Sequence, residues 1–295
     1  MIYNDNEQLT HMPLNATETT DDFSRIFKDL IAWMESGQLV LPGVPEVAQK
    51  VRAVASDTDA GPKELANVIN IDPPLAAHII KVSNSVSYRG GTVNRSIQGA
   101  VTRLGFRLTA TLATSFSILQ IMGSASGDHA RIRDLYAHSL AVAERTYAIA
   151  RRHKHLNAED ALLAGLVHDL GVLVISQYLR HQDRFNNEQQ NEAIIQALHP
   201  QAGATLLRRW EFPEQLIEAI EVHEDWERGE ASTKPDYTDL IIVANYDVYR
   251  GTPKLAGITQ PPLAFTRLGL QAGRPLVQQD NLGDDMDAAR RLLSA

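Results

Sequence analysis

Apolar positions recur along the chain at helical spacing rather than in alternation. Phe23, Ile26, Phe27, Leu30, Ile31 and Met34 fall three and four apart, which predicts a helix from Asp21, started by a carboxylate and stopped near Gly37. Leu41-Pro42-Gly43-Val44-Pro45 reads as a rigid connector, with Pro45 in the first turn of a helix over Glu46–Ala55. Leu65, Val68 and Ile69 mark a short helix, Asp72-Pro73-Pro74 opens another, and Ile97–Leu104 and Leu108–Met122 follow, divided at Gly105. The second half predicts helices over Ile132–His153, Ala158–Tyr178, Asn191–Ala197, Pro200–Trp210, Pro213–Glu224 and Tyr237–Tyr249, with a last short one near Asp284–Leu293. No alternating run is long enough for a sheet, and no internal repeat is present, so the expected fold class is an all-α helical bundle. Residues 1–20 read as a flexible polar tail, and the small-residue stretch Ser124–Asp128 as a boundary. The expected organisation is therefore a helical half at 21–128, a second at 129–250, and an extension at 251–295.

Composition narrows the function. Apolar residues make up 44% and charged residues 22% of 295 residues, which is globular and excludes collagen-like or wholly disordered chains. Cysteine is absent, which removes disulfides, thiolate metal ligands and a cysteine nucleophile together. The net charge of −8 disfavours a nucleic-acid partner, which calls for a basic surface. The first twenty residues lack the pattern of a signal peptide. The uncharged run Leu108–Gly127 carries too many Thr and Ser for a membrane span, so the expected location is cytoplasmic, with no membrane contact.

The candidate chemistry lies in polar residues that interrupt apolar faces. His138 lies three residues after Leu135 and four before Val142, on their face. His168-Asp169 interrupts a run, Leu162 to Ile175, that is apolar all round and therefore buried. A buried carboxylate costs several kcal/mol unless it is paired or bound to a cation. His199 precedes Pro200 and is expected at a helix mouth, while His223 continues the stripe of Leu216 and Ile220. On the helix over 237–249, Asp247 shares the face of Leu240 and Ala244, and Asn245 that of Ile241 and Val248. Imidazoles and a carboxylate converging inside a bundle suit a divalent metal: Zn, Fe, Mn or Mg. The plainer alternative is that His168 and Asp169 satisfy each other and nearby backbone groups.

At these residues the sequence resembles the HDOD family, a branch of the HD phosphohydrolase superfamily related to the HD-GYP phosphodiesterases. Leu41-Pro42-Gly43-Val44-Pro45, Ile71-Asp72-Pro73-Pro74-Leu75, Ser83-Asn84-Ser85, Ala164 through His168-Asp169-Leu170-Gly171, His199-Pro200 and Trp210-Glu211-Phe212-Pro213 carry the likeness, which spans about 22–250. The resemblance implies an HD-like second half behind a helical half peculiar to the family, in a bacterial signalling context. It implies metal ligands at His138, His168, Asp169, His199 and His223, with Asp169 also catalytic. The superfamily's closing aspartate falls on Asn245, or on Asp247 if the helix phase allows. Val222-His223 stands where the cyclic-di-GMP enzymes carry paired histidines, and 225–230 stands in place of their Gly-Tyr-Pro loop. The reading favoured by this damaged ligand set is a regulatory module that binds a protein partner in a signalling pathway, without catalysis. The alternatives are a metal-dependent phosphohydrolase and a sensor of a nucleotide or other phosphorylated ligand without hydrolysis.

Overall fold

The computed structural model describes residues 16–36, 46–85, 88, 90, 93–125, 129–182, 187–256 and 258–294. The expected connector at 41–45, the stop at Gly37, most of the polar tail, residues 126–128 of the expected boundary, and Ser87, Arg89 and Gly91 lie outside these residues. Fourteen α-helices and no strand occur among the described residues, so the protein is an all-α bundle. They are α1 (Ala16–Glu35), α2 (Glu46–Ser56), α3 (Pro62–Ile69), α4 (Pro73–Ser83), α5 (Ile97–Leu104), α6 (Phe106–Ser124) and α7 (His129–Ala150). The rest are α8 (Ala158–Val167), α9 (Leu170–Arg180), α10 (Glu188–Arg209), α11 (Glu214–Glu221), α12 (Tyr237–Val248), α13 (Ala264–Arg267) and α14 (Leu282–Ser294).

Local chemistry sets most of these boundaries. Asp72 caps α4 by accepting from the Leu75 amide, Ser96 caps α5 from the Gly99 amide, and Asn157 caps α8 from the Asp160 amide. Several boundaries depart from the apolar spacing; α11, expected to run to Glu224, stops at Glu221 and leaves His223 just past its end. Helix α1 begins five residues ahead of the expected start at Asp21. The expected helix over 158–178 is two helices, α8 and α9, broken at His168-Asp169. The two expected helices on either side of Pro200 are one, because α10 runs through the proline.

A single apolar core runs from Ile26 in α1 to Leu293 in α14. Helices α2 to α6 pack on one another, α7 to α12 likewise, and α6 against α7 and α8 joins them. The run 158–180 is long and apolar enough to cross a membrane, yet 89% of its window is buried inside the protein against neighbouring helices.

One contact ties the early helices to the corner between α10 and α11. Two residues past the end of α10, Glu211 has a φ of 55°, a left-handed conformation that usually selects glycine. The Arg52 guanidinium, from α2, donates to the carbonyls of Trp210 and Glu211 and lies 3.9 Å over the Phe212 ring. Burial lowers that guanidinium to about 10. Arg52→Met removes both donors, and we expect a loss of about 1.5 kcal/mol in unfolding free energy, read by urea denaturation.

Candidate metal centre

The break at His168-Asp169 is what makes the site. His168 closes α8 and Asp169 opens α9, but the Asp169 side chain does not cap its helix, so the carboxylate is left for the interior. Close helix approach on both sides fixes it there. A Cβ on Gly165 would meet the Ala143 Cα of α7 at 2.7 Å, and one on Gly171 would meet the His199 carbonyl of α10 at 1.9 Å. Only glycine permits these approaches, and they bring α7 and α10, with His138 and His199, onto the His-Asp pair.

Asp169 meets four imidazoles. Its Oδ2 lies 3.4 Å from His138 Nε2 and 3.3 Å from His168 Nε2. Its Oδ1 lies 3.4 Å from His199 Nε2 and 3.3 Å from His223 Nε2. His138 and His168 approach at 3.2 Å through their Nε2 atoms, and His199 and His223 at 3.3 Å. Two triangles of donors result, sharing Asp169. Edges of this length place each donor about 1.9 Å from its triangle's centre, near the ~2.0–2.1 Å of zinc–imidazole bonds.

The backbone sets the tautomers. His168 Nδ1 lies 2.8 Å from the Gly165 carbonyl, and His223 Nδ1 lies 2.6 Å from that of Ile220. His199 Nδ1 lies 3.0 Å from the Ile195 carbonyl and 3.1 Å from that of Gln196. The Gln196 carbonyl is the one that loses its helical donor because Pro200 has no N–H. His199 is therefore not at a helix mouth. It sits in mid-helix, where the proline frees an acceptor for its ring. With Nδ1–H donated to backbone, each Nε2 presents its lone pair inward, the arrangement seen where imidazole binds metal.

Lone pairs 3.2–3.3 Å apart repel unless a proton or cation stands between them. The fit to a cation also rests on Asp169 Oδ1, which is buried and makes no hydrogen bond of ordinary geometry. Without metal, protons take that place on one side. Burial opposes charge on His199 and His223, but the facing carboxylates of Asp169 and Glu224 outweigh it and raise them to about 10 and about 9. His138 goes the other way: burial and the neighbouring His168 lower it to about 4. Burial works against the Asp169 carboxylate too, but His168, His199 and His223 hold it well below the usual range.

Three groups at the site were not singled out by the sequence pattern. Glu224 Oε1 lies 3.4 Å from His223 Nε2 and 3.6 Å from His199 Nε2, so it adds a carboxylate to the second triangle. The Tyr249 hydroxyl lies 3.2 Å from His138 Nε2, and the Lys254 ammonium donates to that hydroxyl at 3.0 Å. Glu224 could have been read from its place directly after His223. Nothing in the spacing marks Tyr249 or Lys254.

The α12 candidates separate. Asp247 accepts from Arg145, Arg250 and the Leu276 amide at 2.8–3.0 Å, so its carboxylate is committed to holding α7 and the C-terminal segment. Asn245 is fully buried, and neither its oxygen nor its nitrogen has a hydrogen-bond partner. The cluster opens into a cavity of about 830 Å³ lined by Asp134, Gln196, Trp226, Tyr249 and Lys254.

Comparison with known proteins accords with this architecture. A metal-dependent phosphohydrolase, so named, from Shewanella amazonensis SB2B superposes with a TM-score of 0.71 at 22% identity, covering 92% of this chain and 99% of that one. An HDOD domain protein of unknown function from Geobacter sulfurreducens gives 0.64 at 24% identity, over 90% of this chain and 97% of that one. A protein named for signal transduction, from Marinobacter aquaeolei VT8, gives 0.61 at 24% identity, over 87% of this chain and 60% of that one. At these identities the likeness is one of fold. An uncharacterized protein of Treponema pallidum (strain Nichols) is 22% identical over 211 residues, 66% of this chain and 40% of that protein's length. Residues 41–226, more than half of the sequence and including all of the clustered histidines, match the HDOD domain, and the chain belongs to the HDOD domain family.

Proposed function

We propose that the chain is a metal-dependent phosphohydrolase of the HD type, with a centre for two divalent cations bridged by Asp169. The observation that carries this reading is one carboxylate in contact with four inward-facing imidazoles. His138, His168 and Asp169 Oδ2 would hold one cation, and Asp169 Oδ1, His199, His223 and Glu224 the other. Glu224 changes the balance that the sequence suggested, since it supplies the carboxylate that Asn245 cannot. The all nitrogen-and-oxygen donor set fits Fe, Mn or Zn better than Mg, which keeps mostly oxygen ligands. Bound there, such ions polarise a phosphoryl oxygen and lower the pKa of water. The protein's part is to fix Asp169 between the two sites, to aim the Nε2 atoms of His168, His199 and His223 inward through their Nδ1 contacts, and to admit a phosphoester through the cavity.

The test is elemental analysis after purification without chelator, paired with turnover of phosphate mono- and diesters. About two divalent cations per chain are expected, with hydrolysis lost on chelation and restored by Mn or Zn. A metal-free protein that does not take up metal, or a loaded one inert on every phosphoester, rejects the hydrolase. The regulatory reading would then stand, with a protein partner or a phosphorylated ligand such as a nucleotide. Its own support is the Arg52 contact, which links α2 to the corner ahead of His223 and Glu224. The Marinobacter relative's signalling name is in keeping with it.

A further inference from the structure

Tyr249 and Lys254 lie beyond the residues that match the family, yet they reach its metal centre. The two cationic side chains on the cavity wall besides the imidazoles are Arg131 and Lys254. Arg131 is paired with Glu192 at 2.8 Å. Lys254 donates to a neutral phenol instead, and its ammonium lies 4.3 Å from the centre of the Tyr249 ring. Among the described residues Lys254 forms no ion pair, and the other charged groups on that wall, Asp134, Asp169, Glu192 and Glu224, are acidic.

Lys254 sets one hydrogen-bond direction, and the other follows once His138 Nε2 is unprotonated, as a metal ligand must be. Lysine can only donate, so the Tyr249 oxygen accepts from it. The Tyr249 proton is then directed at His138 Nε2, 3.2 Å away, and the two rings are stacked within 8° of parallel. That Nε2 lone pair is the one that faces the first donor triangle. When a cation takes it, the Tyr249 O–H loses its acceptor while remaining beside Lys254 and open to the cavity.

We propose that Lys254 and Tyr249 form a phosphate-binding clamp, in which both donors take one non-bridging oxygen of the substrate's phosphoryl group. The inference rests on the hydrolase reading above and adds to it the residues that seat the substrate. It requires a phosphoryl group that enters between Lys254 and His138, with its ester arm directed past the Asp134 carboxylate, since Glu192 is taken up by Arg131. A single phosphate bearing a neutral or cationic arm suits that carboxylate, and a polyphosphate tail does not.

The probe is inorganic phosphate, titrated by calorimetry into manganese-loaded full-length protein, with metal content measured in parallel. For Lys254→Met we expect phosphate affinity to fall about tenfold with metal content unchanged, for Lys254→Arg to retain most of it, and for Tyr249→Phe to fall several-fold. Equal phosphate affinity in wild type and Lys254→Met, both loaded, overturns the clamp and leaves the hydrolase reading standing. No phosphate binding by loaded wild type also overturns the clamp, and the hydrolase reading is then decided by phosphoester turnover. Loss of metal from Lys254→Met also overturns the clamp, because it would make the lysine part of the metal site's support.

Discussion

Replacing Asp169 with asparagine is expected to remove the metal and leave the fold intact. The amide is isosteric, and Asp169 caps no helix, so α8 and α9 lose no backbone contact. What they lose is the one charge that both triangles share. Removing a partner that only orients a ligand typically costs 10–100-fold in metal affinity. Removing the bridging ligand itself should exceed that, at least about a hundredfold, read by elemental analysis and competition with a chelator. Phosphoester turnover should fall with it. A second readout needs no metal. In the metal-free wild type, His199 and His223 have folded values of about 10 and about 9, above the ordinary 6.5. Their contribution to stability is then fully present below pH 6.5 and is lost as pH rises through about 9 to 10. In Asp169→Asn the amide cannot hold an imidazolium and only Glu224 remains to do so, so that decline should shrink. His138, lowered to about 4, is neutral throughout this window and does not confuse the comparison. An Asp169→Asn protein with wild-type metal content and the same pH slope would remove the bridging role.

The sequence made much of this legible, for a physical reason. A polar residue on an apolar helical face carries a cost that demands a partner, so His138, His168, Asp169 and His223 stood out against Leu135, Leu166, Leu170 and Ile220. Periodicity reports which face a residue occupies. It does not report where a helix breaks, and the apolar residues on both sides of His168-Asp169, from Leu162 to Ile175, hid the break that frees the Asp169 carboxylate. Proline misled in the opposite direction. Pro200 looked like a helix start, but its missing N–H is made good from within, since the His199 ring takes up the Gln196 carbonyl. Tyr249 and Lys254 were invisible because neither interrupts an apolar stripe; they act from the end of α12 and the turn beyond it. Asn245 and Asp247 could not be separated by phase alone. Partners separated them, because three nearby donors claim Asp247 while both polar atoms of Asn245 go without.

Gly171→Ala should be the most damaging alanine substitution among the described glycines. The added carbon would stand 1.9 Å from the His199 carbonyl oxygen and 2.7 Å from the Gly203 nitrogen. Both are backbone atoms of α10, so no side chain can rotate away, and relief requires α9 and α10 to separate. Overpacking of an ordinary core costs ~1–3 kcal/mol, and a rigid backbone obstacle should place this variant at or above about 3 kcal/mol. The stability loss should come with a loss of metal, because the carbonyl that must move belongs to His199. Gly123→Ala is the control. It is also a glycine within a helix, α6, but its added carbon meets nothing within 4 Å. In a helix that change is worth roughly 0.5–1 kcal/mol in alanine's favour, so Gly123→Ala should be neutral or stabilising and keep its metal. Thermal unfolding and metal content measured on both variants separate the two cases. If Gly171→Ala melts and binds metal like Gly123→Ala, then close contact between α9 and α10 is not what holds His199 against Asp169.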